Sequence, residues 1–309
     1  MKSMKKMLLL AVIETTSGDD ANPTAAANAI MCRALMPEPI TAEQVSRDLI
    51  RPYKGNSGKL VVGVHRRLTC EVELAGSGAA GTAPAWGPLL QACGFAETVT
   101  AGQDVTYDPV SEGEPTLTLY GYLDGILFKL TGVKGNVTFT LNAKAIPVMQ
   151  FEFLGAYSPP TDTPLPTGVD YSAFQQPKTV GKANTPTFSF HGVQACTSAF
   201  SIAWGNTQAW RELINCAGAR SPDRQPTGNV TMELPSIATK NWAEVVRAGT
   251  TGAMSLVHGV TPGNIIELAA PNIQCNPFSL QDDQGIAMVA MPFDVNPLLG
   301  NDELSIVVR

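Results

Sequence analysis

Strand-length apolar runs, broken repeatedly by glycine and proline, dominate the sequence. In the first half they fall at residues 8–14, 29–35, 60–64, 68–74, 117–122, 126–130, 137–141 and 148–154. In the second they fall at 187–191, 199–204, 229–234, 254–258, 265–269, 286–292 and 304–308. Several alternate apolar with polar residues, most cleanly Val137-Thr138-Phe139-Thr140-Leu141, which is the period of a half-buried strand. Asp124-Gly125, between two of the runs, signals a type I′ hairpin, whose central residues both need positive φ. Helical spacing occurs only at 86–93, 210–217 and 242–248, each closed by a glycine (Gly94, Gly218, Gly249) as a helix end would be. The expected fold class is mainly β with short helices (α+β).

Residues 158–185 separate two halves. Pro159, Pro160, Pro164, Pro166 and Pro177 stand in a stretch with little periodicity, the composition of a semi-rigid linker. The halves on either side, 1–157 and 186–309, read as diverged copies of one unit. A tryptophan helix starting at Trp86 has a counterpart at Trp242, although Trp210 offers a rival match. Phe128-Lys129-Leu130 then matches Ile266-Glu267-Leu268, Phe139-Thr140-Leu141 matches Phe278-Ser279-Leu280, and Phe151-Glu152-Phe153 matches Met291-Pro292-Phe293. Residues 98–115 read as a polar loop, long enough to be functional.

Charged residues are only 16% of the chain and the net charge is −6. Sparse charge suits a protein that hides much of its surface in subunit contacts. The acidic balance argues against a basic groove that grips DNA and fits a surface that phosphates slide past. The cysteines (Cys32, Cys70, Cys93, Cys196, Cys216, Cys275) are widely and irregularly spaced, so free thiols are expected rather than a disulfide framework or a zinc site. Lys2, Lys5 and Lys6 before the apolar run 7–13 superficially resemble a signal peptide, but the run is short and no small-residue cleavage site follows. No apolar stretch reaches membrane-spanning length, and no membrane insertion is expected.

Chemistry-bearing motifs are weak. Gly76, Gly78 and Gly81 form a G-x-G-x-x-G string after a strand run, with Glu97 about twenty residues on, where a dinucleotide site keeps its acid. Pro84 and Pro88 prevent a helix from starting at the glycines, and no second parallel strand follows. A flexible turn is the better reading, and an enzyme using residues 76–81 remains the minor alternative. His65, His191 and His258 have no second ligand near them in sequence, so no metal, cofactor or catalytic residue is expected. Glu71 and Glu73, two apart on one strand, share a face. They could act as an acid–base pair, but a solvated or channel-lining face is the better reading. Two glycosylation sequons, at Asn136 and Asn229, mean nothing without secretion.

Four strings together resemble a known family: Ile13-Glu14-Thr15-Thr16-Ser17-Gly18-Asp19-Asp20-Ala21-Asn22-Pro23, Ser46-Arg47-Asp48-Leu49-Ile50-Arg51-Pro52, Leu74-Ala75-Gly76-Ser77-Gly78, and the stretch from Pro84-Ala85-Trp86 to Cys93-Gly94-Phe95. They are similar to the tail tube proteins of long-tailed bacteriophages. The likeness covers residues 7–157 by motif and the second half by architecture. It implies two β-sandwich or half-barrel units, each flanked by a helix, in a structural virion protein that is not an enzyme. Such units close into rings of six, and the rings stack into a hollow tube. A chain holding two units implies a trimeric, pseudo-hexameric ring, assembled in the bacterial cytoplasm.

The resemblance also implies partners: copies of the chain itself, the tape-measure protein and transiting double-stranded DNA in the lumen, and terminator and distal tail proteins at the tube ends. Candidate lumen-facing acids are Glu71, Glu73, Asp124, Glu152 and Glu267. Candidate ring-stacking segments are the arm at 15–27 and the stretch 37–58, with Arg47, Asp48, Arg51 and Lys54. The alternative within the same class is a tail terminator or a capsid decoration protein.

Overall fold

The computed structural model describes residues 2–309. The first half contains β1 (Met7–Ile13), α1 (Ala25–Asn28), β2 (Ala29–Ile30), β3 (Ala34–Pro37), β4 (Thr41–Ser46), β5 (Lys59–Glu73), α2 (Gly87–Gln91), β6 (Phe95–Thr100), β7 (Asp104–Pro109), β8 (Leu117–Leu123), β9 (Ile126–Asn142) and β10 (Val148–Tyr157). After β11 (Thr161–Asp162) come β12 (Thr187–Phe190), β13 (Thr197–Ala203), β14 (Ala209–Leu213), β15 (Cys216–Arg220), β16 (Thr227–Glu233) and α3 (Trp242–Ala248). The chain finishes with β17 (Thr251–His258), β18 (Ile266–Cys275), β19 (Ser279–Asp283), β20 (Ile286–Val295) and β21 (Ser305–Val308). The protein is thus mainly β with short helices, as the runs predict.

One series of antiparallel pairings occurs in each half. In the first, β1 pairs with β8, β8 with β9, β9 with β10, β10 with β5, and β5 with β3. In the second, β12 pairs with β17, β17 with β18, β18 and β19 with β20, β20 with β16, and β16 with β13. The long β9 thus corresponds to two strands, broken at Pro277, which has no N–H to donate to a ladder. The halves meet edge to edge where β13 pairs with β9. A second bridge is β21, which pairs with β18 on one side and β7 on the other.

Alternation drives the packing. On β9 Val137, Phe139 and Leu141 point inward and are buried, while Asn136, Thr138 and Thr140 on the other face are only half-buried. The larger of two apolar clusters draws residues from both halves, among them Trp86, Phe95, Trp204, Phe200 and Phe293, and a smaller one gathers Leu8, Leu10, Tyr120 and Tyr122 on the other face of β1 and β8. Helix α2 ends before Gly94 (φ 88°) and seats Leu89 and Leu90 in the larger cluster. Helix α3 is capped by the Asn241 side chain, which accepts the Glu244 N–H, and ends at Gly249 in the left-handed region. Asp124 (φ 41°) and Gly125 (φ 87°) form the expected turn.

Three local expectations differ. Residues 210–217 form the hairpin β14–β15, not a helix. Trp210, Leu213 and Ile214 have helical spacing, but Asn215 takes φ 69° and turns the chain, while Trp210 stacks on His65 at 5.7 Å. Most of the supposed loop 98–115 belongs to the hairpin β6–β7, held by β21 from the far end of the chain. The stretch 37–58 contains β4, so only its tip is a loop. Residues 158–185 run from β10 to β12 tied to both halves. Val180 exchanges backbone hydrogen bonds with Lys144 and Ala145, and the Asn184 carbonyl accepts the Gly259 N–H.

Candidate functional site

The pairings join eight strands into one antiparallel sheet in the order β3–β5–β10–β9–β13–β16–β20–β19. Each half contributes four. One face carries the core. The opposite face holds short and polar side chains: Thr69, Glu71 and Glu73 on β5, Gln150 and Glu152 on β10, Thr138 and Thr140 on β9. It continues with Ser201 on β13, Asn229, Thr231 and Glu233 on β16, Asp294 on β20 and Gln281 on β19. Cross-strand contacts fix this reading, since Gln150 Nε2 donates to Glu71 Oε2 at 3.2 Å. Cations near this face are Arg33, Arg67 and Lys134, with Arg211 and Arg220 on the β14–β15 hairpin, which packs against β5, β9 and β10 at one end with Trp210 on His65. Arg33 contacts Glu71 (3.4 Å) and Glu73 (4.0 Å), and Lys134 is paired with Glu114 (2.8 Å). On this face of the eight strands themselves acids outnumber cations, Glu71, Glu73, Glu152, Glu233 and Asp294 against Arg67 and Lys134.

Of the predicted acids, the sheet brings Glu71, Glu73 and Glu152 together. Asp124 lies off it, at the β8–β9 turn, where it accepts the Ser3 N–H (2.8 Å) and pairs with Lys6 (3.9 Å). Glu267 also lies off it, on β18, ion-paired with Arg309. Glu233 and Asp294 join the polar face although sequence reasoning missed them. The alternation in Asn229-Val230-Thr231-Met232-Glu233 was the available signal.

The sheet has two open ends. Among the described residues β3 has β5 as its only strand partner, and β19 has only β20. All of β19 is exposed, with Leu280 at 62%. An uncovered edge of this kind is a template for another strand.

Arg47, Asp48, Arg51 and Lys54 cluster in the loop joining β4 to β5. This hairpin exposes a run of apolar side chains, with Ile50 fully exposed and Tyr53, Leu60 and Val61 more than half exposed. Contiguous apolar exposure marks an interaction surface. The arm at 15–27 instead folds back on its own chain. Glu14 at its root is buried and accepts from Thr116 Oγ1 (2.6 Å), Thr118 Oγ1 (2.9 Å), Gly18 N (2.7 Å) and Gly132 N (2.8 Å). Asp20, farther along, receives Tyr120 and Lys129.

The other chemistry-bearing residues serve the fold. The Gly76 amide donates to Asn264 Oδ1 and the Gly78 amide to the Gly263 carbonyl (2.9 Å). A Cβ at Gly76 would collide with the Gly263 backbone, so the glycines admit a neighbouring loop. His191 Nε2 bonds the Ile273 carbonyl (3.1 Å), and His258 lies between Thr185 Oγ1 (3.0 Å) and the Lys178 carbonyl (3.1 Å). Burial holds both imidazoles below the ordinary histidine range. Burial also pushes the Cys93 thiol well up, away from the thiolate a nucleophile or metal ligand needs. Among the described residues no His, Cys, Asp and Glu side chains group as a metal site, and no helix is long and apolar enough to cross a membrane.

A search of the curated proteins gives no match. A family model described as phage tail tube protein matches residues 5–295. That span begins before β1 and ends with β20, so it takes in both four-stranded groups of the sheet and the seam between them. The chain accordingly belongs to the phage tail tube protein family, and it is a structural subunit of the virion tail.

Proposed function

We propose that three copies close into a ring of six similar units, and that stacked rings form a hollow tube through which double-stranded DNA passes to the host. The observation that carries this is the repeated pairing series, whose two four-stranded groups are joined side by side at β9–β13 and left open at β3 and β19. On this reading 1–157 and 186–309 are two diverged tube units and 158–185 is their connection. An eight-strand sheet closed on itself has an interior that side chains fill. Three copies of eight strands give a ring about 50 Å across between backbones, from a strand spacing of about 4.8 Å and a tilt of about 40°. That is wide enough for a DNA duplex or a tape-measure protein.

The polar face, with Glu71, Glu73, Glu152, Glu233 and Asp294, lines the channel, and its negative charge keeps phosphates from adhering. The β4–β5 hairpin reaches to the next ring, a head-to-tail contact that does not close and so grows a filament. Terminator and distal tail proteins cap the ends. The chain works as a scaffold rather than as an enzyme. Native mass spectrometry of soluble rings, with image averages of assembled tubes, tests the stoichiometry. A three-chain mass with six similar lobes is expected, and a ring of six chains would overturn it.

A further inference from the structure

We infer that the ring closes by β19 of one copy adding to β3 of the next, antiparallel, with Leu35 opposite Asp282 and Pro37 opposite Leu280. This rests on the ring reading above and specifies its chain-to-chain seam. The internal seam supplies the template, since there Phe200 faces Leu141 and Ile202 faces Phe139.

Shared partners transfer that register to the open edges. Cys70 faces Phe151 as Val230 faces Met291, so Leu35, opposite Cys70, occupies the place that Phe200 takes opposite Val230. In the same way Phe139 faces Met149 as Leu280 faces Val289. The pair Ile202–Phe139 becomes Pro37–Leu280 between copies. Phe139 is fully buried beneath its neighbour, whereas Leu280 in the matching place is 62% exposed. An apolar side chain on the core face of an edge strand lacks the strand that would cover it.

Direction and hydrogen-bond phase agree. Neighbours along the eight strands alternate, so β3 and β19 run opposite ways and meet antiparallel when copies are set side by side. The Glu38 N–H donates to Arg67 O, which turns the backbone groups of Leu35 and Pro37 toward the open side. At the internal seam the Trp204 N–H donates to Val137 O, which puts Phe200 and Ile202 in the same bonded phase. Pro37 offers only its carbonyl, an edge feature that weakens indiscriminate pairing.

The two seams differ in their fastenings. The internal one is fastened by Trp204 Nε1 to the Cys93 carbonyl (2.9 Å) and by Asn206 Nδ2 to the carbonyls of Cys93 and Gly135 (both 2.8 Å). In the matching places beyond β3 stand Pro39 and Thr41, which cannot reproduce these bonds. Charge takes their role: Asp282 and Asp283 end β19, and Arg33 precedes β3, half exposed over Glu71 and Glu73. Exposed pairs of this type are weak and screened by salt, so the seam between copies is the reversible one.

Cysteine cross-linking tests the register. In a Cys196→Ser, Cys216→Ser background, Met36→Cys is combined with Gln281→Cys, which the register places directly opposite in a non-hydrogen-bonded pair. Such pairs stand about 4.5 Å apart at Cα, within disulfide reach. A ladder ending at three chains on a non-reducing gel is expected, with about tenfold more product than Met36→Cys with Ser279→Cys, displaced by one pleat. Equal cross-linking of the displaced pair overturns the register. Hydrogen exchange on the unaltered protein is the second measurement, with protection of the Leu35, Leu280 and Asp282 amides expected on assembly. Tubes whose β3 and β19 amides exchange freely overturn this seam and leave the tube reading standing. A chain that stays monomeric overturns both.

Discussion

Glu14 shows what a single side chain contributes to this fold. Its buried carboxylate gathers two threonine hydroxyls and two backbone amides from three separate stretches of chain. Removing it strands those donors away from water, and each unsatisfied buried group costs about 1–3 kcal/mol. Glu14→Ala is therefore expected to lower unfolding free energy by about 2–4 kcal/mol and to free residues 15–27 for proteolysis. Denaturant titration and limited digestion report the two effects. Gly135 is the reverse case, where a missing side chain matters. A Cβ there would lie 2.7 Å from Cys93 Sγ and from the Phe153 ring. Gly135→Ala overpacks the core beside the seam and is expected to cost about 1–3 kcal/mol in the same titration.

At the scale of elements, the second half carries a built-in acid sensitivity. His191 follows β12 and His258 ends β17, and burial depresses the pKa of both. A depressed histidine pKa means that the unfolded chain binds protons the fold refuses. Stability is then full above the ordinary value near 6.5 and falls as pH drops below it. Unfolding midpoints measured at pH 7.5 and 5.5 should decline toward acid, and His258→Gln should flatten the slope. The β4–β5 hairpin gives a second element-scale expectation. Replacing residues 48–57, which include Asp48, Arg51 and Lys54, by a short glycine turn should leave rings that no longer stack. Negative-stain images would show discs, and tubes of normal length would remove the hairpin from the stacking contact.

Elements were legible in the sequence where the pattern was local. The alternation of β9, the Asp124-Gly125 turn and the glycine ends of α2 and α3 depend only on neighbouring residues. What escaped depends on distant partners. The β6–β7 hairpin is stabilised by β21, and residues 210–217 are held as a hairpin partly by the stacking of Trp210 on His65. The match between halves set Leu141 beside Leu280, whereas hydrogen-bond register sets Phe139 there, two residues away. The β9–β10 connection is longer than the two-residue turn of β19–β20, and sequence spacing absorbed the difference as slip. For the same reason spacing put Glu71 and Glu73 on one face of their strand but did not separate Glu152, which joins them, from Asp124 and Glu267, which do not, or bring in Glu233 and Asp294 from distant strands. Which strands lie side by side is a property of the sheet.

At the scale of the whole molecule, the proposed closure would turn the polar face from an outer surface of one copy into the wall of a channel. One copy would supply a third of that wall; in the proposed ring of three the face looks at itself across the channel, and its carboxylates would add into a common negative field. Such a field does not grip DNA, and the absence of grip is what a conduit requires, because each lysine or arginine on a phosphate strengthens retention and releases a counterion. Glu152 is the informative position. It is exposed on the centre of the sheet, and the eight-strand seams do not depend on its side chain. Glu152→Lys changes the channel charge by two per chain and leaves the core face untouched. Tubes of normal length are expected, with DNA retained at low salt and released as salt rises, and with a loss of infectivity when the change is carried in the virion. Glu267→Lys, off the face on β18, should change neither retention nor infectivity beyond what a lost ion pair with Arg309 does to stability. If the two substitutions behave alike, the acidic face does not line the channel.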